Sequence, residues 1–250
     1  MTEIAELVAY CADRLAVGAF EDYCPNGLQV QAGDRVSRLI SGVTASQALI
    51  EAAAARGADA LLVHHGYFWK GEAAPLTGMK GRRVATLFRH GISLLAYHLP
   101  LDAHPELGNN RRLGDLLGVV NARPLEGQQG LLWCGELPAP LEAPAFAVQV
   151  AQILGREPLL VAGGTHPVRR LAWCTGGAQG YIERAADLGV DAYLTGEVSE
   201  PTVHTARECG LHFYAAGHHA TERYGVQALG AELAARFGIS HEFIDIPNPV

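Results

Sequence analysis

Histidine and carboxylate side chains are grouped in four short stretches of this chain, each of which follows an apolar run. The stretches are His64-His65-Gly66, His98-Leu-Pro-Leu-Asp102, Gly196-Glu197 and Gly217-His218-His219-Ala-Thr-Glu222. Neutral imidazoles and carboxylates are ligands that Zn, Fe, Mn, Co and Ni accept in proteins. No cysteine lies beside these stretches in the sequence, which disfavours a closed structural zinc site. The grouping therefore predicts a site for divalent metal ions.

The spacing within the stretches bears on how many ions they hold. His218 and Glu222 are four residues apart, so they would share one side of the first turn of a helix that Ala220 opens. His64 and His65 are adjacent and would point to opposite sides of an extended strand, so each could serve a different ion. A carboxylate bridging both ions would give the separation of about 3.5–4 Å of a binuclear hydrolytic centre.

Some of the chemically interesting residues also have ordinary structural interpretations. Glu197 could simply cap the helix that follows it. The run Tyr67-Phe68-Trp69 could stack on a planar base, fill the core or form a subunit interface, and the interface is slightly favoured. Isolated histidines in loops are seldom ligands, which applies to His90, His166, His204 and His241. Glycine-rich turns at 163–164 and 175–177 lack the spacing of Walker A and dinucleotide motifs.

An internal repeat indicates which elements position these side chains. Residues 38–63 align without a gap on residues 170–195, an offset of 132, and eleven of the 26 pairs are identical. Each copy predicts a buried strand, a helix closed by a glycine and a second buried strand. The predicted strands are Leu39–Val43, Leu171–Cys174, Ala58–Val63 and Val190–Thr195, and the predicted helices are Gln47–Arg56 and Gln179–Leu188.

A further helix and strand extend each copy. The predicted helices are Arg82–Arg89 and Pro201–Cys209, and the strands that follow are Ile92–Tyr97 and Leu211–Ala216. Alternating strands and helices of this length predict an α/β fold with parallel sheets, in which ligands bind beyond the carboxyl ends of the strands. We expect two similar, internally duplicated domains, residues 1–125 and 126–250. Between the copies, Pro124–Pro144 is predicted to be a crossover, although Leu131–Leu137 could form an edge strand.

Composition narrows the class of partner and the compartment. The net charge of −7 disfavours a general nucleic-acid binder, although Lys70, Lys80, Arg82 and Arg83 form a local basic group. The five cysteines are scattered without a C-x-x-C pair, as expected for reduced thiols. Residues 1–17 carry acidic groups rather than the basic start of a signal peptide, and no apolar run is long enough for a membrane span. These features predict a cytoplasmic protein that does not bind membranes.

Several long motifs resemble those of a known family. They are Gly42-Val-Thr-Ala-Ser46, Val63-His-His-Gly-Tyr-Phe-Trp-Lys-Gly71, the stretch from His98 to Asn110, Gly217-His-His-Ala-Thr-Glu-Arg223, Pro25-Asn-Gly-Leu-Gln29 and Ile244-Asp-Ile-Pro-Asn-Pro249. Together they span essentially the whole chain and are similar to the Nif-three-like dinuclear-metal-centre family, whose members are also described as type 2 GTP cyclohydrolase I homologs.

The resemblance implies a Nif-three-like fold of two interleaved α/β domains and a toroidal homohexamer. Carried over residue by residue, the family's ligands are His64, His65, Asp102, His218 and Glu222. They would hold two divalent metal ions per subunit, with Zn, Fe or Mn as the candidates. The inserted domain of longer family members has no room in Pro124–Pro144, so its role does not transfer.

These observations predict a metal-dependent hydrolase that acts on a small molecule, with purine imidazole ring opening of a nucleotide implied by the resemblance. His98 and Glu197 are the candidates for catalytic proton transfer, and Lys70, Arg82 or Arg83 for holding a triphosphate. Two alternatives remain: a metal storage or delivery protein, and a hexameric scaffold without turnover.

Overall fold

A computed structural model describes residues 1–127 and 129–250. Its helices are α1 (Ile4–Arg14), α2 (Gln47–Ala55), α3 (Gly78–His90), α4 (Leu99–Ala103), α5 (Asn109–Leu116), α6 (Ala143–Leu154), α7 (Ile182–Asp187), α8 (Glu200–Glu208), α9 (His218–Thr221) and α10 (Arg223–Phe237), with short 3-10 turns at Val17–Ala19 and Gln179–Tyr181. Its strands are β1 (Thr2–Glu3), β2 (Gly27–Val30), β3 (Arg35–Val36), β4 (Arg38–Thr44), β5 (Ala60–His65), β6 (Ser93–Ala96), β7 (Val120–Pro124), β8 (Trp133–Leu141), β9 (Leu159–Val161), β10 (Val168–Trp173), β11 (Ala192–Thr195), β12 (His212–Ala215) and β13 (Ser240–Phe243). The predicted α/β class is confirmed.

The chain folds as two compact units. The first contains Met1–Leu101 and Gly225–Pro247, and the second contains Asp102–Tyr224 and Asn248–Val250. These bounds differ from the two repeats predicted at 1–125 and 126–250, because β13 from the end of the chain pairs in parallel with β4. The division into sequence repeats stays a prediction.

A five-stranded sheet forms the centre of the first unit. Its order is β13-β4-β5-β6-β2, and β4, β5 and β6 pair in parallel while β2 closes one edge antiparallel to β6. Helices α2 and α3 place Leu49, Ile50 and Leu87 in one buried cluster with Leu61 and Leu94 of the sheet. Strands β4 and β5 are buried on both faces of the sheet. They therefore have continuous apolar runs in sequence rather than an alternation of apolar and polar residues.

A six-stranded sheet forms the second unit, in the order β7-β8-β10-β11-β12-β9. Its central strands β10, β11 and β12 are parallel. Phe146, Trp173 and Tyr214 are buried in one core cluster, and Tyr193 and Phe213 are buried in another. The register repeats that of the first unit: Leu39 pairs with Ala60 and Leu171 pairs with Ala192, each shifted by the same 132 residues. The structure thus preserves the internal repeat.

The segment Pro124–Pro144 differs from the prediction. It contains β8, which pairs with β7 on one side and β10 on the other, so this strand is internal rather than an edge or part of a crossover. The ladder with β7 covers Trp133 to Glu136, and Pro138 and Pro140 are exposed beyond it. A proline there removes no hydrogen bond from the β7 ladder, so the proline-rich sequence is compatible with a strand.

Smaller expectations are also settled. Gly57 and Gly189 both have positive φ, at 64° and 61°, as predicted for glycines that end helices. The helix predicted from Gln179 begins with a 3-10 turn before α7. All five cysteines are free thiols. Within residues 1–127 and 129–250, none of the helices has the length and apolar character that crossing a membrane requires.

Candidate metal-binding site

The first unit contains a histidine cluster made of His64, His65 and His98. His64 and His65 are the last residues of β5, and His98 follows β6. The two strands are parallel neighbours, with Val63 beside Ala96, so these histidines meet at one edge of the sheet. The ring centroids of His64 lie 4.7 Å from His65 and 5.1 Å from His98. One ring nitrogen from each of the three lies within 4.8 Å of the others. The predicted grouping at these strand ends is therefore present in the first unit.

Hydrogen bonds set the orientation of the two adjacent histidines. His64 is fully buried, and its Nδ1 lies 2.8 Å from the carbonyl oxygen of Tyr97. Since a carbonyl only accepts, Nδ1 of His64 donates the proton and Nε2 carries the lone pair of the neutral ring. His65 is half-buried, and its Nδ1 lies 3.1 Å from the hydroxyl of Thr44. Such a partner on Nδ1 is the usual support of a histidine that binds metal through Nε2.

His98 has a carboxylate partner that sequence reasoning missed. Its Nδ1 lies 2.7 Å from Oδ1 of Asp22, and the side chain of Asp22 is buried. Burial acts to raise the pKa of the Asp22 carboxyl, but the hydrogen bonds from His98 and Asn26 and the nearby imidazole outweigh it, so that the pKa lies at about 2. The two residues are separated by 76 positions, and no motif connects them.

Asp22, Cys24 and His98 also lie close enough together to share an ion. The carboxylate of Asp22 already accepts hydrogen bonds from the backbone N–H groups of Tyr23 and Leu99 and from the side chain of Asn26. Burial and the charge of Asp22 raise the pKa of the Cys24 thiol to about 12, so the thiol is protonated at neutral pH. We therefore assign Asp22 to the support of His98 rather than to a metal.

The second unit contains a carboxylate cluster made of Asp102, His218 and Glu222. Asp102 and Glu222 are buried, and each offers an oxygen within 4.8 Å of the other. His218 Nε2 lies 3.0 Å from Oε2 of Glu222. Helix α9 begins at His218 itself rather than at Ala220, yet the four-residue spacing still brings this histidine and Glu222 together, as predicted.

Neutral side chains hold Asp102 in place. The Asn109 amide donates to Oδ1 of Asp102 at 2.8 Å, and the Thr175 hydroxyl donates to the same oxygen at 3.3 Å. Asn110 accepts from the Thr175 backbone N–H at 2.9 Å and so ties the start of α5 to the end of β10. These residues were not predicted to support a ligand, although Asn109 and Asn110 lie inside a motif that resembles the family.

Glu197 lies beside the carboxylate cluster and contacts His218. Its Oε1 is 2.7 Å from His218 Nδ1, so the ring is held between two carboxylates. Burial acts to lower the pKa of His218, but the hydrogen bonds and charges of Glu222 and Glu197 outweigh it and raise the pKa to about 9. This contact positions the imidazole, while a proton-transfer role for Glu197 stays a prediction.

A nearby cysteine does not fit the ligand set. Cys174 is buried directly after β10, and burial together with the charges of Asp102 and Glu222 raises the pKa of its thiol well above the ordinary range. A thiol must be deprotonated to bind a metal, so this environment disfavours Cys174 as a ligand. The imidazole and carboxylate donors instead fit a divalent ion such as Zn, Fe or Mn.

Three histidines outside the two clusters, His104, His204 and His241, have hydrogen-bonding partners within their own unit. His241 contacts the Ser41 hydroxyl at 2.8 Å, and His204 pairs with Glu200 on the surface of α8. His104 is buried and accepts the backbone N–H groups of Glu106 and Leu107. For His204 and His241, these contacts fit the structural role that the sequence predicts for isolated histidines.

The basic residues near the aromatic run differ in their exposure and in their ion pairs. Lys80 pairs with Glu72 at 3.4 Å. Lys70 and Arg82 are exposed, and Arg83 is half-buried. A phosphate-binding role for Lys70, Arg82 or Arg83 stays a prediction.

Comparison with known proteins identifies relatives along the full length. A family model described as Duf34/NIF3 (NGG1p interacting factor 3) matches residues 2–249. The chain is 58% identical to a protein of Allochromatium vinosum over 249 residues, which cover 100% of this chain and 98% of that protein. It is 61% identical to a protein of Pseudomonas aeruginosa over 241 residues, 95% of each. Both relatives are named GTP cyclohydrolase 1 type 2 homolog.

A solved structure gives the same result for the fold. The structure of protein ybgI, described as of unknown function, has a TM-score of 0.96 and 50% identity, with 100% of both chains covered. The resemblance drawn from the motifs is confirmed. The chain belongs to the DUF34/NIF3 family.

Proposed function

We propose that this protein is a divalent-metal-dependent hydrolase that acts on a small molecule. The observation that carries the proposal is the burial of Asp102 and Glu222 with oxygens within 4.8 Å of each other, beside His218. Two buried carboxylates repel each other, and a divalent cation converts that repulsion into attraction. The raised pKa of His218 has the same origin, since both neighbouring carboxylates favour a positive charge at that place.

The ligands we propose are Asp102, His218 and Glu222 of the second unit and His64 and His65 of the first. That all five act as one dinuclear centre with two ions per subunit stays part of the proposal. Bound divalent ions supply Lewis acidity toward a water molecule and toward the substrate. His98, supported by Asp22, exchanges the proton through Nε2, and Glu197 holds the ring of His218 in place.

The names of the relatives suggest the substrate. Two of them are called GTP cyclohydrolase 1 type 2 homolog, and we propose the corresponding reaction here, hydrolytic opening of the purine imidazole ring at C8. A fold supports many chemistries, so this step depends on family likeness more than on the site. The homohexamer and the cytoplasmic location also remain proposals.

Turnover by the metal-loaded protein is the direct test. Purified protein loaded with Zn, Fe or Mn is incubated with GTP and with a panel of phosphoesters and cyclic amides, and product release is measured beside metal content. We expect Asp102→Ala and Glu222→Ala to lower turnover by more than the 10- to 100-fold typical of residues around a metal's ligands. The control is Asp115→Ala, since Asp115 is exposed and pairs with Arg111 one turn earlier on α5.

Other outcomes would favour other functions. Absence of turnover with every substrate, together with transfer of metal to an apo-acceptor, would contradict the hydrolase and indicate metal delivery. If a cell that carries either variant in place of the parent protein grows as the parent does, the metal has no essential role, and a scaffold is indicated. Metal content that is unchanged in both variants would remove Asp102 and Glu222 from the ligand set.

A further inference from the structure

Trp69 lies directly against the histidine cluster. Its ring centroid is 5.0 Å from that of His98, with an angle of 86° between the planes, and 6.1 Å from that of His65. The indole is half-buried, so it touches both the cluster and solvent. An aromatic ring beside the groups that carry the chemistry is placed to contact whatever reacts there.

The backbone that carries Trp69 is held in an unusual conformation. Phe68 has a φ of 65°, in the left-handed region that a non-glycine residue seldom adopts. The carboxylate of Glu72 accepts the backbone N–H groups of Phe68 at 2.7 Å and Trp69 at 3.1 Å. Lys80 pairs with Glu72 and lies 5.6 Å from the ring centre of Phe68. Several groups thus stabilise a conformation that costs energy by itself.

The side chain of Trp69 is also fixed. Its Nε1–H donates to the carbonyl of Gly66 at 3.2 Å. A side chain at Gly66 would collide with Ala96 and with Gln29. The side-chain amide of Gln29 accepts a hydrogen bond from the backbone N–H of Tyr67 and donates one to its carbonyl. The indole is therefore hydrogen-bonded to a closely packed backbone segment, and it loses less conformational entropy than a free side chain when a ligand binds it.

The neighbouring aromatic residues have different roles. Tyr67 is buried, and its hydroxyl donates to the carbonyl of Ala45. Trp133 and Trp173, the other tryptophans of the sequence, are fully buried in the second unit. Trp69 is consequently the tryptophan with access to solvent. Of the three interpretations open for Tyr67-Phe68-Trp69, filling the core fits Tyr67 but does not fit Trp69.

We propose that Trp69 is a stacking platform that selects ligands with a planar heteroaromatic ring and holds that ring beside the histidine cluster. The proposal rests on the proposed function in one respect, the assignment of the cluster as the place of reaction. Binding of the ring itself requires no turnover. A contact between subunits is the competing role for an exposed tryptophan, and the test is designed to separate the two.

Tryptophan fluorescence provides the first measurement. The full-length protein, with metal and after chelation, is titrated with GMP, AMP and nicotinamide mononucleotide, and with ribose 5-phosphate as the ligand that lacks a ring. We expect saturable quenching by at least one ring-containing ligand and none by ribose 5-phosphate. The signal can be assigned to Trp69 because Trp133 and Trp173 are shielded from solvent.

Two substitutions of the same residue separate the ring from the reporter. Trp69→Phe should abolish the quenching but keep calorimetric affinity within several-fold, since a smaller aromatic plane remains. Trp69→Leu should weaken calorimetric affinity on the order of 10- to 100-fold, which corresponds to the loss of one stacked base. Phe88→Leu is the matched control, because Phe88 is an exposed aromatic residue on α3. Glu72→Ala, which frees the backbone of Trp69, should weaken binding even if Trp69→Leu folds poorly.

The results distinguish this proposal from the hydrolase. Unchanged affinity in Trp69→Leu, or no quenching by any of the three nucleotides, would overturn the platform whatever the turnover. A smaller native mass for Trp69→Leu than for the parent protein, with ring affinity intact, would overturn it in favour of a subunit contact. Ring-selective quenching by a protein that turns over nothing would support the platform and leave only the hydrolase contradicted.

Discussion

Four histidines of the two clusters share one arrangement at the scale of the single residue. In each, Nδ1 is engaged by an oxygen: the Tyr97 carbonyl for His64, the Thr44 hydroxyl for His65, Asp22 for His98 and Glu197 for His218. A partner on Nδ1 makes Nε2 the nitrogen with which a histidine binds metal, and in His218 that nitrogen lies 3.0 Å from Oε2 of Glu222. The oxygens come from different elements, and their common effect is to fix the rotation of the imidazole. The carbonyl beside His64 also fixes the tautomer, because a carbonyl can only accept.

Asp22 should make the free energy of unfolding depend on pH in the acidic range. The pKa of its carboxyl is about 2 in the folded protein, below the value of about 4 expected when unfolded, so its contribution is present above pH 4 and is lost as the pH falls toward 2. At pH 7 we expect Asp22→Asn to lower the free energy of unfolding by on the order of 2 kcal/mol. Urea unfolding at pH 7, 5, 4 and 3 measures it.

The matched control for Asp22 is Asp13→Asn, because Asp13 is an exposed residue of α1. The difference between wild type and Asp22→Asn should shrink below pH 4, whereas Asp13→Asn should match wild type throughout. A difference for Asp22→Asn that stays constant from pH 7 to pH 3 would rule out the carboxylate's charge as its cause.

At the scale of elements, the turns after β4 and β10 show how the two copies diverged. Thr44 and Gly176 are equivalent in the repeat. Thr44 supports a histidine through its hydroxyl, whereas Gly176 makes room for a carboxylate. A Cβ at Gly176 would overlap Oε1 of Glu222 and would lie 2.9 Å from its Cδ and 3.2 Å from His218 Nε2. The same turn thus positions a ligand by contact in one unit and by absence of a side chain in the other.

Gly176→Ala should therefore weaken metal binding without unfolding the protein. The added methyl group displaces Glu222, and the φ of 71° adds strain of about 1–2 kcal/mol. We expect metal affinity to fall by at least about 10-fold, the lower end for a disturbed neighbour of a ligand, as measured by competition with a chelator.

Gly189→Ala separates strain from collision. Gly189 has a similar φ of 61°, but the nearest atom to its added Cβ is the guanidinium of Arg170 at 3.9 Å. The Gly189→Ala variant should therefore have a lower free energy of unfolding but an unchanged affinity for metal. Equal metal affinity in Gly176→Ala and Gly189→Ala would refute the role given to the space at Gly176.

At the scale of the whole molecule, the duplication includes an aspartate that accepts backbone hydrogen bonds at the start of the first parallel strand in each unit. Asp59 accepts the backbone N–H groups of Ser37 and Arg38, and Asp191 accepts those of Arg169 and Arg170. Each aspartate precedes the second strand of its copy and binds the entry of the first. Asp59 and Asp191 are equivalent positions of the repeat, so the same residue holds the same pair of strands together in both units.

Loss of either aspartate should destabilise its own unit. We expect Asp59→Ala and Asp191→Ala each to cost about 1–2 kcal/mol, as for hydrogen bonds to a charged group that is partly solvated. Amide hydrogen exchange should show lower protection in β4 for the first variant and in β10 for the second. Asp187→Ala is the control, since its pair with Arg184 spans 4.0 Å on the surface. Normal protection of the adjacent strand in either variant would contradict the equivalence.

The sequence determined the parts of this protein that depend on local pattern and on side-chain chemistry. Continuous apolar runs predicted the central strands, and the repeat predicted their common order. Ligand-type residues at strand ends predicted the closeness of His64, His65 and His98 and of His218 and Glu222. These inferences succeed because a buried parallel strand needs apolar residues on both faces and because its carboxyl end is where a parallel sheet places its ligands. The limits are seen at β8, where the sequence predicts a crossover or an edge strand and the structure has an internal strand.

Which residues support the proposed ligands depends on contacts between distant parts of the chain. Asp22 reaches His98 across 76 positions, Asn109 and Thr175 meet on Asp102, and β13 joins β4 from the far end of the chain. An aspartate, an asparagine or a threonine looks the same in sequence whether it is solvated or bonded. Its role is set by which backbone and side-chain groups the packed core brings within hydrogen-bonding distance, and that depends on long-range contacts that no local pattern records.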